Sequence, residues 1–137
     1  MSAARGRLAA ARVARLASVT PSGVPHQVPI TLVLLGGDRI VTAVDHKPKA
    51  TRDLQRLRNI RACPRVCVLA DHYDEDWARL WWVRADGEAA VVTAGATVAD
   101  ATTALQEKYA QYRDRPPEGP VILIRVTTWA WWQAGAT

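Results

Sequence analysis

Residues 64–93 read PRVCVLADHYDEDWARLWWVRADGEAAVVT, and their pattern decides the fold. The segment 65–71 (RVCVLAD) is an apolar, β-branched run of strand length, and 79–86 (RLWWVRAD) and 88–93 (EAAVVT) read as two further strands separated by Gly87. Side chains alternate across a strand, so one member of the pair Trp81-Trp82 enters the core and the other is presented outward; the same alternation applies to Trp131-Trp132. An outward indole either packs structurally, covers a flat ring or seals an interface between subunits.

The same grammar extends in both directions. Residues 14–20, 27–35 and 39–44 are β-branched runs punctuated by Pro21-Ser22-Gly23 and Gly36-Gly37-Asp38, which predicts an antiparallel meander of three strands. Pro25 and Pro29 donate no ladder hydrogen bond, so the second of these strands should begin at an edge or a bulge. Residues 121–132 (VILIRVTTWAWW) form one long final strand. Helical spacing over 2–12 and 97–113, the latter stopped by Pro116-Pro117, adds helices. The expected fold is mainly β with flanking α: a single domain over 1–137, a closed or nearly closed antiparallel barrel with the helices outside.

Between the third and fourth strands lies HKPKATRDLQRLRNIRACPR, residues 46–65. Pro48 suits the first turn of a helix, Leu54, Leu57 and Ile60 mark a buried stripe, and Pro64 ends it. Arg52, Arg56 and Asn59 fall on a second face, with Lys47 and Lys49 ahead of the N-terminus, where free N–H groups and the macrodipole favour an anion. The run is either a phosphate grip or a solvated basic face.

Composition narrows the function classes. The 137 residues carry a net charge of +5 with 23% charged and 49% hydrophobic residues, a balance typical of soluble globular chains. No apolar run reaches membrane-spanning length, and arginines interrupt the N-terminal alanines where a signal peptide needs an apolar stretch, so a cytoplasmic protein is expected. Cys63 and Cys67 lack metal or redox spacing and read as small core residues. The acidic loop 71–76 contains one histidine and no glycine to fold ligands inward, so a solvated turn is expected there and no metal site. Hydrolase, dinucleotide and Walker patterns are absent.

In this order, the basic turn and helix, Pro-Arg-Val strand, Trp-rich strand and C-terminal strand resemble the split β-barrel flavin and deazaflavin oxidoreductases of the pyridoxamine 5′-phosphate oxidase-like superfamily. Residues 54–89 look like a subgroup of probable F420-dependent enzymes from actinobacteria. The resemblance implies a six- to seven-stranded antiparallel split β-barrel with two to three helices outside. It also implies a homodimer with two cofactor sites across the interface. It places the cofactor phosphate near Lys49, Arg56 and Asn59, with Lys47 and Arg52 as additions from the residue reading. The ring passes Pro29-Ile30-Thr31 and meets Trp82 or Trp81. The chain ends in WAWWQAGAT where true pyridoxamine phosphate oxidases have an Arg-Leu-x-Pro segment, which speaks against vitamin B6 oxidation. Such a cofactor carries hydride chemistry itself, so a missing acid–base motif is no objection. The expected function is hydride transfer from reduced coenzyme F420 to a small molecule, with no nucleic-acid or membrane partner. The rivals are an FMN enzyme of the same fold, a non-catalytic carrier of flavin, deazaflavin or haem, and, from charge alone, a nucleic-acid binder.

Overall fold

The computed structural model describes residues 2–44 and 51–135. Its elements are α1 (Ser2–Ala10), β1 (Ala14–Val19), β2 (Pro25–Ile30), β3 (Val33–Leu35), β4 (Arg39–Ala43), α2 (Thr51–Ala62), β5 (Arg65–His72), β6 (Trp81–Val92), α3 (Ala96–Lys108), α4 (Ala110–Asp114) and β7 (Val121–Gln133), with a single 3₁₀ turn at Trp77–Arg79. The seven strands form one antiparallel sheet in the order β2-β1-β5-β6-β7-β4-β3.

That order corrects the expected meander. The run 27–35 splits at Thr31-Leu32 into β2 and β3, which lie at opposite edges of the sheet. Side chains replace the ladder at this joint: the Tyr109 hydroxyl accepts from the Leu32 N–H (3.1 Å) and donates to the Arg12 carbonyl (3.0 Å), while Lys108 Nζ donates to the Leu32 carbonyl (2.8 Å). Two residues link the outermost strands, so Ile30 and Val33 stand at most about 11 Å apart, and the sheet must curl until its edges approach. No ladder joins β2 to β3, so the barrel is not closed.

Two other elements depart from expectation. The strands separated at Gly87 are one strand, β6, with a register shift between Asp86 and Gly87 against β7. A Cβ at Gly87 would run into the Arg125 carbonyl, so the bulge requires glycine. The helix 97–113 breaks at Tyr109, whose extended backbone separates α3 from α4 and turns its ring into the core.

Two apolar clusters explain which strands alternate. Leu16, Val68, Val83, Ile122 and Ile124 fill the barrel. Val33, Val41, Val121, Leu105 and Tyr112 fill a second layer beneath α3. Helix α3 covers the outside of β3 and β4, so the sequence there is apolar on both faces, as in 121–124 (VILI) on the adjoining strand. Strands β1 and β5, and β6 as far as Ala90, alternate cleanly, with half-exposed or exposed side chains on their outer face. Cys67 lies on that outer face and not in the core; burial, then the Asp86 carboxylate, pushes its thiol above the ordinary range and keeps it protonated.

Lys108 gives this arrangement a pH signature. Burial, then the Arg12 guanidinium, lowers its ammonium from 10.5 to about 8. Between those values the unfolded chain binds the extra proton, so stability rises with pH across that window. Urea denaturation from pH 8 towards 10 should show the chain gaining stability relative to Lys108→Met; parallel curves would contradict the assignment.

Candidate functional site

Helix α2 packs one side onto the barrel. Leu57 and Ile60 enter the core, and Arg56 and Asn59, expected on a separate outer face, are buried beside them at 9% and 0% exposure. Asn59 Nδ2 donates to Ser18 Oγ (3.1 Å) and its Oδ1 accepts from Gln55 Nε2 (2.7 Å), so this side chain holds the helix to β1. Among the side chains described, Arg58 and Arg61 are the solvated arginines of the helix. Lys47 and Lys49 lie outside the described residues, and of Arg52 only its place in the first turn of α2 is described.

The remaining residues fall into two further groups. Pro29 is exposed on the edge strand β2, as its missing donor requires, and shares an outer-face row with Arg15, Leu69 and Arg84. Thr31 belongs elsewhere: its hydroxyl is 3.0 Å from that of Tyr112, against α4. Trp81 shares the inward side of β6 with Val83 and packs on the core, while Trp82 is the outward member, opposite Asp71 and Trp132. Three strand spacings, about 14 Å, separate Pro29 from Trp82 along the sheet, and about five residue steps of strand, roughly 16 Å, separate the level of Ser18 from that of Trp82.

The tryptophans line a cleft of about 480 Å³ at the ends of β5, β6 and β7, shared with Leu69, Asp71, His72, Tyr73 and Trp132. His72 pairs with Trp81 and stacks on it at 6.1 Å and 18°, and its Nε2 lies 3.8 Å from Asp74. Arg7 of α1 sits over Trp81, 5.2 Å from the ring centre. Arg84 reaches into the cleft wall but is held by Asp86 at 2.8 and 3.3 Å. Trp131 and Trp132 are both exposed, at 47% and 46%, against the expectation that one would enter the core. Strand β7 has run past β4 there, which pairs with residues 121–125 alone, and Ala3, Ala4 and Arg7 of α1 flank its end.

Sequence reasoning missed His72 as a cleft residue and reached Trp132 only as one of a pair. Both arrive through pairing register, His72 with Trp81 and Trp132 with Trp82, which no single strand reveals. Among the described residues, no group of three or more potential metal ligands assembles, and no helix is long and apolar enough to cross a membrane.

The sequence pattern of the pyridoxamine 5′-phosphate oxidase family matches residues 1–133. The chain belongs to that family. Solved structures share the fold. A conserved hypothetical protein from Mycobacterium tuberculosis is 20% identical over 96% of this chain and 83% of its own, with a TM-score of 0.79. A heme binding protein from Mycobacterium smegmatis is 24% identical over 98% of this chain and 54% of its own (TM-score 0.77). An FAD binding protein from the same organism is 16% identical over 97% and 93% (TM-score 0.66). No curated protein matches the chain. These structures share the fold of this chain across nearly its whole length.

Proposed function

We propose that the protein is an oxidoreductase that binds a flavin-class cofactor, reduced coenzyme F420 in the finer reading and FMN in the alternative, and transfers hydride to a small molecule. The observation that carries this is Arg56, an arginine residue only 9% exposed on the helix that follows the basic run 47–49. A charged group so buried is an unusual surface decoration and a suitable anchor for a phosphate. FAD binding by the related Mycobacterium smegmatis protein supports a flavin-type ligand. Arg56 would hold the phosphate, and Trp82 would flank the ring at the rim of the cleft, shielding it from water. The cofactor supplies the hydride chemistry when bound.

Helix α2 is tied through Asn59 to Ser18, whose level lies about five residue steps, roughly 16 Å, from that of Trp82, an interval that a ligand held by both Arg56 and Trp82 must span. A homodimer, with α2 of one protomer beside the cleft of its partner, unites them, and the uncovered outer face of β1, β5 and β6 is the surface available for it. A second reading, a haem carrier, draws on the heme binding relative and on His72, an imidazole in an aromatic cleft that could ligate iron.

One titration tests these readings together. Purified protein should run as a dimer by light scattering and bind F420 more tightly than FMN, with quenching of tryptophan fluorescence that falls in Trp82→Leu. Leucine retains apolar volume, so folding is preserved. Binding of neither cofactor overturns the proposal, and a Soret band lost in His72→Ala would establish the carrier instead.

A further inference from the structure

The aromatic cleft has a charge character that the cofactor reading does not use. Asp71 lines it directly, opposite Trp82 in the β5–β6 ladder, and Asp74 stands beside His72. Glu75 and Asp76 continue the same loop. Among the described residues no lysine or arginine pairs with Asp71; Arg84 is engaged by Asp86, and Arg79 lies 3.9 Å from Asp76. A protein of net charge +5 thus keeps a locally acidic corner, and it is the corner that holds its rings. Indole and phenol faces carry the negative side of their quadrupole, so rings and carboxylate act with the same sign. Trp81 already carries a cation, the Arg7 guanidinium 5.2 Å from its centre. Trp82 and Trp132 pair across β6 and β7 at the cleft wall with no such partner among the described contacts.

We propose that the cleft binds a small planar organic cation, stacked on Trp82 and Trp132 with the Asp71 carboxylate beside its charge. Between ligands of the same size the chemistry favours a cation over an anion, which would face Asp71 and the ring faces alike, and over a neutral ring, which gains stacking alone. This names a substrate class for the activity proposed above and rests on that reading only for turnover. Hydride added to a ring carbon of a pyridinium-type cation forms the new C–H bond, while the C=N⁺ π pair moves onto nitrogen and cancels its charge. The two electrons come from the reduced flavin or deazaflavin, which is thereby oxidised. No side chain has to donate a proton, which suits a cleft without an acid–base dyad.

The test is a titration of the full chain, without cofactor, with N-methylquinolinium, neutral quinoline and 1-naphthoate, read by calorimetry and by the indole N–H resonances. N-Methylquinolinium should bind about tenfold or more tightly than quinoline, and naphthoate more weakly still. It should shift the resonances of Trp82 and Trp132 and leave Trp129 in place. Asp71→Asn, a change on the surface, should lower affinity for the cation several-fold and leave quinoline unchanged; Trp82→Leu should weaken both. Equal binding of quinoline and N-methylquinolinium, or an unaltered cation affinity in Asp71→Asn, overturns the proposal. The titration contains no F420 or FMN, so its outcome is independent of whether either cofactor binds.

Discussion

Arg56→Ala should lower affinity for F420 and FMN by roughly ten- to a hundredfold, the worth of a charge-assisted hydrogen bond to a sequestered anion. Arg56 is buried on the core side of α2, so truncation also removes packing, and two companions separate the effects. Arg56→Met keeps the apolar stem and should retain the wild-type melting temperature while losing the affinity. Arg56→Lys keeps the charge but not the planar fork and should fall between them. Lys49→Ala should act in the same direction as Arg56→Ala. Unchanged binding in Arg56→Met would move the phosphate away from α2.

Gly87→Ala should cost on the order of 3 kcal/mol and lower the melting temperature by roughly 10 °C, because the added methyl meets the Arg125 carbonyl and the branched Cγ2 of Ile124, neither the free end of a flexible side chain. The only escape is to open the bulge between β6 and β7, the longest ladder in the sheet. Gly6→Ala is the matched control: it lies within α1 with nothing within 4 Å of the added Cβ, and should stabilise slightly. Comparable melting temperatures for the two variants would show that the bulge relaxes freely.

Most strand positions were legible because β1, β5 and much of β6 alternate and the rest are β-branched runs between turns, and α2 because its leucines and prolines mark it. The partners of the strands were not. Nothing in the run 27–35 says that the chain crosses between the sheet edges at Thr31-Leu32; that follows from Tyr109 and Lys108, more than seventy residues later, supplying the backbone's hydrogen bonds. The fate of Gly87 was half legible: the glycine was visible, but whether it ends a strand or kinks one depends on the approach of Arg125. At the candidate site, the outward tryptophan could be narrowed to a pair but not chosen, because the parity of β6 is set by Val83 and Ala85 reaching the core. Arg56 was singled out by charge, whereas its burial could only come from the way α2 lies on β1.

The strand order also governs when the molecule can assemble during synthesis. Strand β4 pairs at once with β3 but finds its second neighbour only in β7, about eighty residues downstream, so the β3–β4 hairpin leaves the ribosome with an apolar edge unpaired. The β1–β2 hairpin, by contrast, is complete as soon as residue 30 emerges. Folding should therefore be late and concerted, with a loop-closure penalty carried mostly by the β4–β7 ladder. Until β7 arrives, residues 39–43 are the segment most open to pairing with another nascent chain.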